Sequence, residues 1–227
     1  RYLGAGWLSR ADQAATWQPV SEIPASELWT ARCAARGQLV DMITQRSTAH
    51  RLSRGDPMDY AEAARTGFDP GRLTIGFARR LATYKRLHLL ALLPERAIAL
   101  LGGERPIQFI FAGKAHPADA DAKEIVRQLF ALKRSPSVAG RAAFLEDYDM
   151  ATAGQLVAGC DVWVNLPRPP LEASGTSGMK SSLNGGLQLS VLDGWWAEAW
   201  DGSNGWAING DVDGDHQAQD YRDARTL

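Results

Sequence analysis

Three short stretches of the 227-residue sequence concentrate residue types able to hold anions and move protons. The sharpest runs Glu172-Ala-Ser-Gly-Thr-Ser-Gly-Met-Lys180. Its small residues, Ser174 to Gly178, permit close backbone approach and a nest of amide N–H groups for an anion. A helix then begins and presents Lys180 one turn in. An anion nest followed by a lysine suits a phosphate-bearing cofactor whose aldehyde the lysine captures, as pyridoxal phosphate requires. A glycine-rich turn capping a structural helix would use the same residues, so both readings stand at this point. A Walker A loop is excluded. Met179 separates Gly178 from Lys180, and no glycine stands at the upstream position that motif needs.

The second stretch is Arg79, Arg80, Tyr84, Lys85 and Arg86, four cations within eight positions. Arginine offers forked donors, lysine a point charge and a helix N-terminus its positive dipole end, a combination suited to phosphate. The alternative is a solvated basic helix face. The third is Gly113-Lys114-Ala115-His116-Pro117, where Lys114 and His116 either reach a cleft or decorate an ordinary turn. Other candidates carry less. Asp211-Val-Asp-Gly-Asp215 resembles a calcium loop only loosely, because its glycine is misplaced and Arg222 stands where a bidentate glutamate belongs. His50, His88, His116 and His216 lack metal-ligand spacing. Trp195, Trp196, Trp200 and Trp206 suit a sugar floor or simple packing, and packing is the simpler reading. Gly4-Ala-Gly6 follows no strand, and no Gly-x-Ser-x-Gly elbow occurs.

The elements that must position these residues follow from apolar patterning. Leu73–Phe77, Ile107–Phe111, Ala142–Leu145, Val162–Val164 and Leu187–Leu192 are near-continuous apolar runs, as in strands buried on both faces. Between them, 81–102, 118–133, 149–158 and 176–186 read as helices. Alternating βα units predict an α/β fold, a Rossmann-like doubly wound parallel sheet with right-handed crossovers, over residues 69–227. Ligands in such sheets collect at the carboxyl ends of the strands, which is where the three stretches fall. Residues 1–68 form a helical lead-in. Ser26 is the expected N-cap, and Leu28, Ala31, Ala35, Leu39, Met42 and Ile43 mark a buried stripe. A loop at 51–57 leads to a short helix at 60–65.

Composition sets limits on function. The chain is 45% hydrophobic and 22% charged, with net charge −1, so it has neither a disordered composition nor the basic surplus of a nucleic-acid binder. No apolar run reaches the roughly 18 residues a membrane span needs. Cys33 and Cys160 exclude a disulfide framework and a cysteine-built metal site. With no basic stretch and apolar segment at its start, the chain is expected to be cytoplasmic.

The motifs together resemble those of the α-glucan phosphorylases, which act on glycogen, starch or maltodextrin. Glu172–Lys180, followed by Leu183-Asn184-Gly185, is similar to their cofactor-lysine signature. Gly76-Phe-Ala-Arg-Arg-Leu-Ala-Thr-Tyr-Lys-Arg86 resembles their phosphate-binding segment, and Phe109-Ile-Phe-Ala-Gly-Lys-Ala-His-Pro117 their Gly-Lys-Ala turn. Phe144-Leu-Glu-Asp-Tyr148 is similar to the segment whose tyrosine sits beside the cofactor. The resemblance spans about residues 20–210 and is nearest to the shorter bacterial members, with Asp193-Gly-Trp-Trp196 and Asn204-Gly-Trp-Ala-Ile208 in the tail. Ser177 and Gly178 stand where the animal enzymes carry Gly and Asn; both remain small.

The resemblance implies a reversible, retaining phosphorolysis that yields glucose 1-phosphate with pyridoxal phosphate. On it, Lys180 links covalently to the cofactor, Thr176 and Ser177 offer amides to the cofactor phosphate, Arg79 pairs with that phosphate, and Tyr148 packs beside it. Arg80 and Lys85 hold the substrate phosphate, and Glu172, Ser174 and Gly175 bind hydroxyls of the transferred glucosyl group. Lys85, Arg80 and Glu172 are the expected catalytic set, with no metal. The partners implied are α-1,4-glucan, inorganic phosphate and glucose 1-phosphate, with a homodimer possible for the whole enzyme. The resemblance covers only the C-terminal half of a two-half glycosyltransferase-B fold. Arg1 is therefore expected to be a truncation point, the C-terminus to be incomplete, and the chain alone to be inactive without its N-terminal half. Two alternatives remain: a sugar-nucleotide-dependent transferase of the same fold, like glycogen synthase, and a non-catalytic carbohydrate-binding remnant.

Overall fold

Six strands form one all-parallel sheet in the order β3-β2-β1-β4-β5-β6. They are β1 (Thr74–Ala78), β2 (Gln108–Ala112), β3 (Ala142–Leu145), β4 (Val162–Asn165), β5 (Leu187–Val191) and β6 (Gly205–Ile208). A computed structural model of the chain describes residues 2–134, 138, 140–212 and 214–227. Arg1, on which the expected truncation point falls, and Asp213 of the acidic loop lie outside the described residues.

The helices are α1 (Ala14–Trp17), α2 (Ala25–Ser53), α3 (Met58–Gly67), α4 (Leu89–Leu92), α5 (Pro94–Gly102), α6 (Ala120–Lys133), α7 (Met150–Gly159), α8 (Thr176–Leu183), α9 (Trp195–Ala199) and α10 (His216–Thr226). None is long and apolar enough to cross a membrane. Two apolar layers cover the sheet. On one face Phe77, Phe109, Phe111, Phe144, Val164 and Val191 meet Leu89, Leu101 and Leu129 from the helices. On the other, Leu39 and Ile43 of α2 and Leu156 of α7 pack on Ile110, Ala143, Leu145 and Trp163. Each such fully buried aliphatic side chain contributes about 1.5–3 kcal/mol of transfer free energy.

The start of α2 departs from the expected pattern. Pro24, not Ser26, precedes the helix, and no side chain caps it. Leu28 and Ala31 are exposed. This end of α2 is held by polar contacts instead: Arg32 donates to the carbonyls of Ala158 and Cys160, and Arg36 Nη1 to Asp161 Oδ1 at 2.7 Å. Asp161 also accepts the Thr74 N–H, at 2.8 Å through Oδ2, so one carboxylate ties α2 to the starts of β1 and β4. That anchor lies at the strands' amino ends and leaves the carboxyl ends open.

The expected helix at 81–102 is broken into three pieces. A 3₁₀ turn at Thr83–Lys85 ends on Arg86 with φ 47°, and α4 ends where Leu93 leaves helical geometry ahead of Pro94. Proline disfavours a helical residue before it and starts α5 at its own first position. α2 runs on to Ser53 through the start of the expected loop. β6, α9 and α10 have no counterpart among the expected elements. β6 is a four-residue edge strand with Trp206 exposed, and α10 buries only Gln219, Asp223 and Ala224. α10 carries no continuous apolar signal, and the run Trp206-Ala-Ile208 of β6 is only three residues long.

Candidate active site

The chain crosses over in opposite directions on either side of the β1–β4 pair, and a crevice at such a switch point is the usual ligand site of a doubly wound sheet. The segment after β1 delivers Arg79 to this crevice, and the 3₁₀ turn delivers Lys85. The loop after β4 brings Glu172, and α8 follows it.

Lys85 and Glu172 pair here, the lysine amine donating to Glu172 Oε2. Arg79 Nη1 lies 3.6 Å from the same oxygen, and Arg79 Nη2 donates to Ser177 Oγ at 3.3 Å. All three charged groups are buried, between 7% and 8% exposed. Burial pushes the Arg79 guanidinium down to about 10 against the opposing charge of Glu172, which leaves it protonated at neutral pH. Two cations therefore face one carboxylate in a poorly hydrated crevice.

The glycines of the small-residue stretch have geometric reasons. Gly175 caps α8 at φ 88°, a left-handed conformation that costs other residues about 1–2 kcal/mol. A Cβ on Gly178 would stand 2.8 Å from Trp195 Nε1 and 2.9 Å from Gln188 Oε1. Trp195 thus walls the stretch, and its backbone N–H donates to Ser174 O at 2.8 Å. No side chain caps α8, so its first amides, those of Thr176 and Ser177 included, have no acceptor within the helix.

The remaining expected residues fall less centrally. Lys180 lies on α8, exposed, with no side-chain hydrogen bond or ion pair among the described residues. Arg80 is likewise exposed and unpaired among them. Tyr148 is half-buried against the layer of α2 and α7; burial raises its phenol, with the Arg79 charge opposing. Lys114 and His116 are exposed on the turn after β2. Arg86 does not join the cationic group: it is fully buried, and its guanidinium is paired with Asp220 and Asp223 of α10. Trp196 packs in the core while Trp200 and Trp206 are exposed. Among the described residues no cluster of three metal-ligating side chains exists.

Several site residues are absent from the sequence-based list. Asn165, the last residue of β4, is 1% exposed with neither amide atom bonded, and Gly175 lies against it. Its signal was available: it is a polar residue closing the apolar run Val162-Trp-Val164, at the strand end where ligands collect. Asp193 holds Glu172 by accepting its N–H at 2.9 Å, and Trp163 Nε1 donates to Ser177 Oγ at 3.3 Å. Arg79 Nε and Gln188 Oε1 are buried without partners, so polar capacity in and around the crevice is unspent.

Comparison with known proteins gives this crevice its context. The chain is 42% identical to the glycogen phosphorylase of Aquifex aeolicus over 96% of its own length and 32% of that protein's. It is 49% identical to the glycogen phosphorylase of Mycobacterium tuberculosis over 85% of the chain and 22% of the relative. With the maltodextrin phosphorylase of Thermococcus litoralis the figures are 41%, 100% and 27%. The chain thus spans a third or less of the length of the curated relatives it matches. A family model for carbohydrate phosphorylases matches residues 68–201, more than half the chain and the whole stretch from the start of β1 to the end of α9. The chain belongs to the carbohydrate phosphorylase family.

Proposed function

We propose that this chain carries the cofactor and phosphate sites of an α-glucan phosphorylase, which converts glycogen or maltodextrin and inorganic phosphate reversibly to glucose 1-phosphate with retention. The observation that supports this most directly is the convergence of Arg79, Lys85, Glu172 and Ser177 beside the uncapped start of α8. In this assignment the activity belongs to a protein of the relatives' length, and residues 1–68 serve as a helical lead-in to the domain at 69–227.

The residues present fit pyridoxal phosphate. Thr176 and Ser177 offer free helix-start amides to its phosphate, the left-handed Gly175 sets the turn that begins the helix, and the buried Arg79 has an unused Nε. Lys180 supplies the amine for the aldehyde and Tyr148 a phenol beside the ring. When bound, the cofactor supplies a phosphate that relays a proton to and from the substrate phosphate.

The chain's own groups do the remaining work. Lys85 and Arg80 bind substrate phosphate, and with Arg79 they offset the repulsion between two neighbouring phosphates. Two unit charges at 4 Å repel by about 4 kcal/mol at an effective dielectric near 20, so several cations are needed. Glu172, with Ser174 and Gly175, accepts and orients hydroxyls of the glucosyl group. For Glu172 to do so, substrate phosphate takes over the Lys85 amine and frees the carboxylate.

The test is absorbance and borohydride trapping with pyridoxal phosphate in a full-length phosphorylase carrying this sequence. A reduced adduct mapped to Lys180, and loss of glucose 1-phosphate formation in Lys180→Ala, are expected. No adduct at Lys180 overturns the assignment, and retained transfer from a sugar nucleotide in Lys180→Ala moves the chain to the nucleotide-dependent class.

A further inference from the structure

Two arginines outside the crevice connect its two walls. Arg86 directly follows Lys85, and Arg168 precedes Glu172 in the loop after β4. Both reach the same face of α10. Arg86 donates through Nε to Leu166 O at 3.1 Å and through Nη2 to Pro167 O at 2.9 Å. Its Nη1 donates to Asp223 Oδ2 at 2.6 Å and to Asp220 Oδ1 at 3.0 Å. Arg168 Nη2 donates to both oxygens of Asp220, at 2.8 and 2.9 Å, and Arg168 Nη1 to Gln219 Oε1 at 2.7 Å. The Arg168 N–H meets Tyr84 O at 2.7 Å, and His88 Nε2 lies 2.8 Å from Asp220 Oδ2.

Asp220 therefore collects Arg86 and His88 from one wall and Arg168 from the other, while making no hydrogen bond or ion pair with Lys85 or Glu172. The arrangement is costly to disturb. A buried charge stripped of its partner is destabilising by several kcal/mol, so these groups move together or not at all. Arg86 also sits at φ 47°, a conformation a non-glycine residue keeps only where surrounding contacts over-determine it. Those contacts are the carbonyls of Leu166 and Pro167 and the two carboxylates that α10 supplies. Fixing Arg86 fixes the end of the 3₁₀ turn, where Lys85 is the preceding residue.

We propose that Asp220 is a positioning residue, which from α10 clamps the turn carrying Lys85 to the loop carrying Glu172 and so sets the register of that ion pair. Its value to catalysis rests on the assignment of Lys85 and Glu172 above; the clamp itself is a property of this chain and is tested there.

The experiment reads Lys85 directly. Amines of the folded chain are labelled with a limiting acylating reagent, and the peptide carrying Lys85 is quantified by mass spectrometry against the exposed Lys114. In the parent chain Lys85 labels slowly, because it is buried and its amine is held by the Glu172 carboxylate. Glu172→Gln is expected to speed Lys85 labelling about tenfold. Asp220→Asn is expected to speed it at least fivefold, and to add little in the Glu172→Gln background, since both act on one pair. A purely structural Asp220 would lower the unfolding temperature yet leave Lys85 labelling unchanged well below it. That result, or full additivity in the double variant, overturns the proposal. Should Asp220→Asn fail to fold, His88→Ala and Arg168→Lys each remove part of the clamp; at least a twofold rise at Lys85 is expected, and none in either overturns it. Failure to trap cofactor at Lys180 would end the catalytic assignment without altering any of these rates.

Discussion

Lys85 and Glu172 meet in a buried ion pair across the switch point of the sheet, although they are 87 residues apart in sequence. Arg79 faces the same carboxylate oxygen at 3.6 Å. One carboxylate thus serves two buried cations, and the crevice carries a local positive excess before any ligand arrives. A polar site with this balance accepts one further anion at a smaller electrostatic penalty than a neutral one.

Removing that carboxylate exposes the imbalance. Glu172→Gln should destabilise the fold by about 3–5 kcal/mol, the usual cost of breaking a buried pair on one side. Inorganic phosphate at constant ionic strength should then raise the unfolding temperature more than in the parent chain, because Lys85 and Arg79 regain a partner. Thermal unfolding with and without phosphate measures both effects. An equal phosphate shift in the two proteins would mean that these cations form no anion site.

Gly175 tests the turn before α8. Its φ of 88° strongly favours glycine, so Gly175→Ala should cost about 1–2 kcal/mol in urea unfolding. On the proposed assignment, the change should also weaken cofactor trapping at Lys180 by tilting the first turn of the helix. A variant as stable as the parent would show that the turn relaxes freely.

Asp193 accepts the N–H of Glu172 through Oδ2 and that of Gly194 through Oδ1, both at 2.9 Å. Asp193→Ala leaves two donors unmet, at about 1–3 kcal/mol for each that stays buried. Asp193→Asn keeps a single carbonyl acceptor and should fall between the two. Chemical denaturation ranks the three proteins, and the order parent, Asn, Ala is the expected one.

Acid stability should depend on Asp220. Burial alone would raise its carboxyl, but hydrogen bonds from His88 and Arg86 and the charge of Arg168 outweigh burial and hold it at about 2, against 3.8 for the free group. A carboxylate depressed in the folded state contributes stability that is complete above the unfolded value and is lost as pH falls through the folded one. The parent chain should therefore lose about 2 kcal/mol between pH 4 and pH 2 on this account. Asp220→Asn should be less stable at pH 7 and show a flatter profile across that window. Matching slopes in the two proteins would rule the contribution out.

Much of the architecture could be read from local pattern. The runs ending at Phe77, Phe111, Leu145 and Val164 became strands because both faces of a parallel sheet are buried, which forces continuous apolarity. α10 is not legible in the sequence because ion pairs hold it, and a helix without an apolar stripe leaves no period there. Leu28 shows the converse: it fits the period of α2 yet is exposed, because that end of the helix is anchored by Arg32 and Arg36 rather than by a core.

By itself the sequence determined which residues can handle an anion and that they lie at strand ends, because small residues, cations and apolar runs declare themselves locally. It also sufficed for the family, through a motif as specific as Glu172–Lys180. Only the tertiary structure decided the partnerships. Lys85 and Arg86 are neighbours and both cations, yet one faces Glu172 in the crevice and the other is locked to Asp223 of α10, 137 residues away. Charge pairing depends on distance through space, and that distance is set by strand order and crossovers, which no local stretch of sequence contains.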